Sequence, residues 1–154
     1  SRVADNPRNV SADMAATTDL SGMEVSLDPS MAPLWDRTIT GILSHAASTG
    51  PDLNQVIDAA PDFALAQAIR GISCLLLGRQ EMIAVARSAL DEARAAARRS
   101  APTAREMAFI DALQDWLSGH PSTAARRMQA RSRSSAARLI LCIGGICAWR
   151  EIRR

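Results

Sequence analysis

The sequence predicts an all-α fold built of antiparallel helix pairs, and three observations carry that expectation. First, a stretch of the chain matches itself without gaps. Pro61 recurs as Pro102 and Gly78 as Gly119, the same step along the chain both times. Between them Ala68, Ile69, Ile72, Leu75 and Leu76 fall onto Phe109, Ile110, Leu113, Trp116 and Leu117. Self-similarity at a period of about 20–50 residues marks stacked repeat units. Second, alanine is abundant, tyrosine is absent and only 2 phenylalanines occur, which favours helices packed closely through small side chains. Third, apolar residues recur at helical spacing, and no run alternates convincingly as a strand would.

The elements follow in order. Residues 1–30 show no sustained periodicity and read as a mobile leader, docking if at all through Met23, Val25 and Leu27. A first helix is expected from about Pro33 to Ser48, with Trp35, Ile39, Ile42 and Ala46 on one stripe. Thr49-Gly50-Pro51 ends it, and a short helix follows over 52–59 with Leu53, Val56 and Ile57 inward. The next helix opens at Ala60-Pro61-Asp62, where Asp62 can cap the free N–H groups, and stops at Gly78. Its partner runs from about Gln80 to Arg99 with Ile83, Ala86, Leu90, Ala93 and Ala97 inward. A further helix starts at Thr103-Ala104-Arg105-Glu106, the spacing of a capping box, and runs to Ser118.

There the match stops. Advancing Ala86, Leu90 and Ala93 by the repeat lands on Arg127, Arg131 and Ser134, and an arginine at a buried seam would strand its charge. The array is therefore expected to be interrupted near Arg127 to Arg131. Residues 131–154 read as an atypical tail, either an unusual terminal cap or a segment foreign to the fold, such as a junction or a frame slip. The domain organisation expected is a leader over 1–30, a helical-repeat domain over 31–130 and this tail. The chain opens on Ser1 and not Met, so it can be a piece of a longer array.

Bulk properties narrow the function classes. At 154 residues, 47% hydrophobic and 22% charged, the chain is too apolar for general disorder. All 18 basic residues are arginine, and the net charge of +2 hides an acidic first half and a basic second half. The arginines at 126, 127, 131, 133 and 138 could neutralise phosphates, but no aromatic residue is interleaved for base stacking. Three cysteines make no disulfide framework, which suits a reducing compartment. The longest apolar run, Leu139 to Trp149, is well short of the roughly 20 residues a spanning helix needs. These features predict a soluble, cytoplasmic protein.

Ala86-x3-Leu90-x2-Ala93 has the small-large-small spacing of the second helix in tetratricopeptide repeats, and Leu65, Ala68, Ile69 and Ile72 fall where that family has the packing positions of its first helix. The step from Pro61 to Pro102 is longer than the usual period of ~34. The segment from Ala60 to Arg70 with Gly78-Arg79, the opening Thr103-Ala-Arg-Glu-Met-Ala-Phe109 and Trp35-Asp36-Arg37 resemble a divergent branch, the tetratricopeptide repeat protein 38 family. The resemblance covers about residues 22–129. It implies an all-α scaffold of helix pairs stacked as a right-handed superhelix, and it brings no catalytic residue to carry over.

Chemistry is sparse. His45 and His120 have no carboxylate or cysteine at ligand spacing, Cys142 and Cys147 lack a second pair, and Cys74 lies among apolar residues. No catalytic, metal-binding or cofactor-binding residue is assigned, and no cofactor is expected. The reading is a non-catalytic scaffold that holds a protein or peptide partner in an inter-helix groove, with self-association as a further possibility and no membrane partner. Candidate contacts are Gln67, Arg70, Asp111 and Gln114, polar positions on the first helix of each pair. The rival classes are a nucleic-acid binder using the Arg-rich 126–138 segment and a helical enzyme with an unrecognised site.

Overall fold

The computed structural model describes residues 17–131. A two-stranded hairpin, β1 (Thr17–Thr18) and β2 (Glu24–Val25), and one 3-10 turn over Pro29–Met31 precede six helices. These are α1 (Ala32–Ser44), α2 (Thr49–Ala59), α3 (Ala64–Leu76), α4 (Glu81–Arg99), α5 (Ala104–Leu117) and α6 (Pro121–Arg131). Each odd-numbered helix packs on the even-numbered helix that follows it. Successive pairs join because α3 also packs against α2 and α5, and α4 against α5.

The spacing of the pairs explains both what the self-match found and what it missed. α3 and α5 begin at Ala64 and Ala104, α4 and α6 at Glu81 and Pro121, so both helices of the second pair recur in the third at one common step. Gly78 and Gly119, paired in the match, both take the left-handed conformation that ends α3 and α5, with φ of 65° and 85°. α1 and α3 begin at Ala32 and Ala64, α2 and α4 at Thr49 and Glu81, again at one common step but a shorter one. The first pair thus belongs to the same series, and a comparison at one fixed period cannot detect it.

Helix boundaries are governed by local chemistry. α1 stops at Ser44, short of the expected Ser48, because His45 adopts a left-handed conformation (φ 53°) and Ala46 N–H donates back to Gly41 O at 2.9 Å. Thr49-Gly50-Pro51, expected to break the chain, instead forms the first turn of α2, where the N–H that proline lacks has no helical acceptor. Asp62 does not cap α3. The cap position is Phe63, with no side-chain hydrogen bond, and Asp62 accepts from Arg99 Nε at 2.6 Å at the far end of α4. The capping box of Thr103 and Glu106 forms as the sequence predicts.

One core runs through all three pairs, from Trp35, Ile39 and Val56 through Leu65, Ile69 and Leu90 to Phe109 and Leu113, with Ala124 of α6 at its edge. Trp35 and Phe63 meet edge to face, their centroids 4.9 Å apart, and so fasten the first pair to the second. Small residues allow the closest approaches. A Cβ on Gly71 would sit 2.5 Å from Leu113 Cδ2 and 3.3 Å from Ala89 Cβ, so α3, α5 and α4 converge on that glycine.

Two expectations change. The array is not interrupted at Arg127: α6 continues through Arg131, buries Ala124 and keeps Arg127 exposed, with Arg127 Nε 2.8 Å from Asp115 Oδ2. The seam runs through Ala124, so the arginine stands off it and strands no charge. The leader over 1–30 is not all leader: from Thr17 onward the chain folds back on the helices and docks through Val25 and Leu27, two of the three residues expected to do so. Residues 1–16 and the tail beyond Arg131, with Arg133, Arg138, Cys142 and Cys147, lie outside the described residues.

Candidate functional site

The four residues singled out from sequence lie on α3 and α5, the first helices of neighbouring pairs. Arg70 and Asp111, equivalent in the self-match, are both exposed, as is Gln114. Asp111 lies 4.0 Å from Arg127 Nη1 and so faces α6, the partner in its own hairpin. Gln67 is different. It is 7% exposed, and its Oε1 is buried with no hydrogen-bond donor. It lies one turn before Gly71 on the same face of α3, the face that approaches α5. The four therefore do not form one cluster: one is inside, one is drawn toward α6, and two are open to solvent.

A denser polar constellation, which sequence reasoning missed, lies where the N-terminal hairpin meets the first turn of α5. Arg105 Nη1 donates to Asp19 Oδ2 at 2.8 Å, with the two side chains 8% and 0% exposed, and the Arg105 guanidinium lies 5.8 Å from the centre of the Phe109 ring. Asp19 Oδ1 accepts from Ser21 N–H at 2.9 Å, from Met23 N–H at 3.3 Å and from the Ser21 hydroxyl. Burial pushes the Asp19 carboxyl up, but the Arg105 and Ser21 hydrogen bonds and the arginine charge together outweigh it and hold it below the ordinary aspartate range.

Next along α5, Glu106 is fully buried and both of its oxygens are used. Oε1 accepts from Ser26 N–H at 2.8 Å, and Oε2 accepts from Ser26 Oγ and from Thr103 N–H, both at 2.7 Å. Asp19-Leu20-Ser21-Gly22 carries a visible turn signal, an Asx turn followed by a glycine at φ 73°. Nothing in the sequence links it to Arg105, so far along the chain. Glu106 was legible as a capping residue, and only its second task was hidden.

Elsewhere, burial raises the Cys74 thiol, with Arg70 opposing it. His45 serves as the α1 cap and His120 sits exposed in the turn before Pro121. Arg126 is exposed and donates to Thr123 Oγ1 at 3.3 Å. Among the described residues no group of three or more His, Cys, Asp or Glu is placed to hold a metal ion, and no helix is long and apolar enough to cross a membrane. The constellation around Arg105 and Glu106 can hold an extended segment by a carboxylate, an amide and a hydroxyl. Comparison of the chain with protein-family models, with curated proteins and with solved structures finds no match to any of them.

Proposed function

We propose that this chain is a helical-repeat scaffold of the tetratricopeptide kind, its pairs wound as a right-handed superhelix, which holds a protein or peptide segment along its first helices without covalent chemistry. The observation that carries this reading is the double engagement of α3. It packs on its own partner α4 and on α5, the first helix of the next pair, so the first helices of the second and third pairs lie side by side. Such units bury their apolar faces against neighbours and leave an extended surface for ligands. Arg70 and Gln114 offer exposed polar contacts on that surface, with Asp111 beside them on the flank toward α6.

A peptide array probed with the full chain tests the reading. Saturable binding is expected, and Arg70→Glu should weaken acidic peptides by roughly tenfold, the effect of reversing one charge at an interface rim. Absence of any saturable partner at low or high salt overturns it. Of the arginine-rich segment's described side chains, Arg127 is engaged by Asp115 and Asp111 and Arg126 donates to Thr123.

A further inference from the structure

Residues 17–27 lie on the helices in the manner of a bound peptide. They reach α1 through Leu20 N–H, which donates to Asp36 Oδ1 at 2.7 Å, and α5 through the Asp19–Arg105 and Ser26–Glu106 contacts. Arg105 and Glu106 stand in the first turn of α5 and Asp36 one turn into α1, so this strap runs from the first pair to the last near the end where first helices begin. At that end α3 is closed on every side. Each residue from Phe63 to Ile69 is buried, whereas Arg70 and, at the other end, Leu77 are exposed. A surface helix keeps one flank polar and open unless something covers it.

Two features set the strap apart from the helices it lies on. It sends only Val25 and Leu27 into the core, and its remaining anchors are charged or polar. Gln67, inside the closed part of α3, has a buried oxygen for which neither strap nor helix supplies a donor. Buried acceptors are rarely left so.

We infer that the first-helix face at this end is a groove for an extended peptide, occupied in cis by residues 17–27. The partner it takes in their place is an extended segment that carries a carboxylate and a hydroxyl. It presents a carboxylate to Arg105 and a serine or threonine to Glu106 at the spacing of Asp19 and Ser26. This inference rests on the peptide-holding reading above and narrows it to one site and one ligand chemistry.

A fluorescently labelled peptide of residues 17–28, titrated into the full chain and followed by anisotropy, tests it. Ser26→Ala and Leu20→Pro, each made in the full chain, loosen the strap without altering Arg105, Glu106 or Gln67. Affinity for either variant should exceed that for the parent at least about tenfold, because losing a hydrogen bond to a carboxylate raises the open fraction by that order. A peptide carrying Asp19→Asn with Ser26→Ala should not bind.

Equal affinity for parent and variants, or undiminished binding of the altered peptide, overturns the inference. Should circular dichroism show a variant unfolded, native-state hydrogen exchange of the unaltered chain decides. The amides of Leu20, Ser21, Met23 and Ser26 must exchange through an opening that leaves α3 and α5 protected, and exchange only together with those helices overturns the inference. A variant dimer dispersed by added peptide makes the occupant a second copy's strap and overturns the assignment to a partner. Strap-peptide binding beside a blank peptide array confines peptide holding to this site and removes the exposed Arg70 surface from the broader reading, and the converse overturns only this inference.

Discussion

Glu106 shows how much a single side chain can be asked to hold. Its carboxylate closes the capping box of α5 with one oxygen and fixes Ser26 with both, and the whole side chain is out of water. Glu106→Gln keeps the shape but turns an NH2 group toward donors, so a Ser26 or Thr103 donor loses its acceptor. Unpaired buried donors cost about 1–3 kcal/mol each, so the change should destabilise by roughly 2–3 kcal/mol in urea unfolding. Thr103→Ala removes only the other half of the box and should cost about 1 kcal/mol. If the two variants prove equal, Glu106 is only a cap. The Asp19–Arg105 pair follows the same logic at higher stakes. Asp19→Ala leaves a buried guanidinium uncompensated, and about 3–5 kcal/mol should be lost, much of it recovered when Arg105 is also replaced by methionine.

Between helices, packing is decided by glycines in opposite surroundings. Gly71 lies where α3, α4 and α5 converge, and an added methyl meets Leu113 at 2.5 Å. Overpacking of this kind costs about 1–3 kcal/mol, more than the gain of at most about 1 kcal/mol from alanine's helix propensity. Gly71→Ala should therefore lower the urea midpoint, whereas Gly50→Ala in α2, whose added Cβ meets nothing within 4 Å, should leave it unchanged or raise it slightly. Opposite shifts in the two variants are the expected result, and equal shifts would count against close α3–α5 packing. Elements of this kind were largely readable in the sequence. The capping box, the two terminating glycines and the apolar stripes of α3 and α5 rest on neighbours within one or two turns. Helix ends set by a left-handed histidine, or by a proline that begins a helix it seemed to break, were not, because His45 and Pro51 act through backbone geometry that composition does not specify. The strap was hidden for a different reason. Its partners on α5 lie beyond four intervening helices in the chain, and no local pattern carries that far.

At the scale of the whole molecule, the strap ties the first pair to the last across an otherwise nearest-neighbour stack, so its titrating group should mark the acid limit of that tie. Asp19 is held below the ordinary aspartate value of 3.8 in the folded chain. A carboxyl whose folded value is depressed contributes stability that is fully present above the unfolded value and is lost as pH falls through the folded one. The difference in unfolding free energy between the parent and Asp19→Asn should therefore stay level from pH 8 down to about 5 and close below the ordinary value. Asp28 is lowered as well, by its hydrogen bonds from the Ser30 hydroxyl and amide. It is common to both chains and cancels in the difference. Urea unfolding at each pH, followed by circular dichroism, measures it. A gap that persists unchanged at pH 3 would mean that the carboxylate charge of Asp19 does not hold the strap. A gap that closes near neutrality would mean that another group governs it. The expected profile has a consequence for the groove beneath: proton uptake at Asp19 does not open it at neutral pH, so what displaces the strap there has to compete for Arg105 and Glu106 directly.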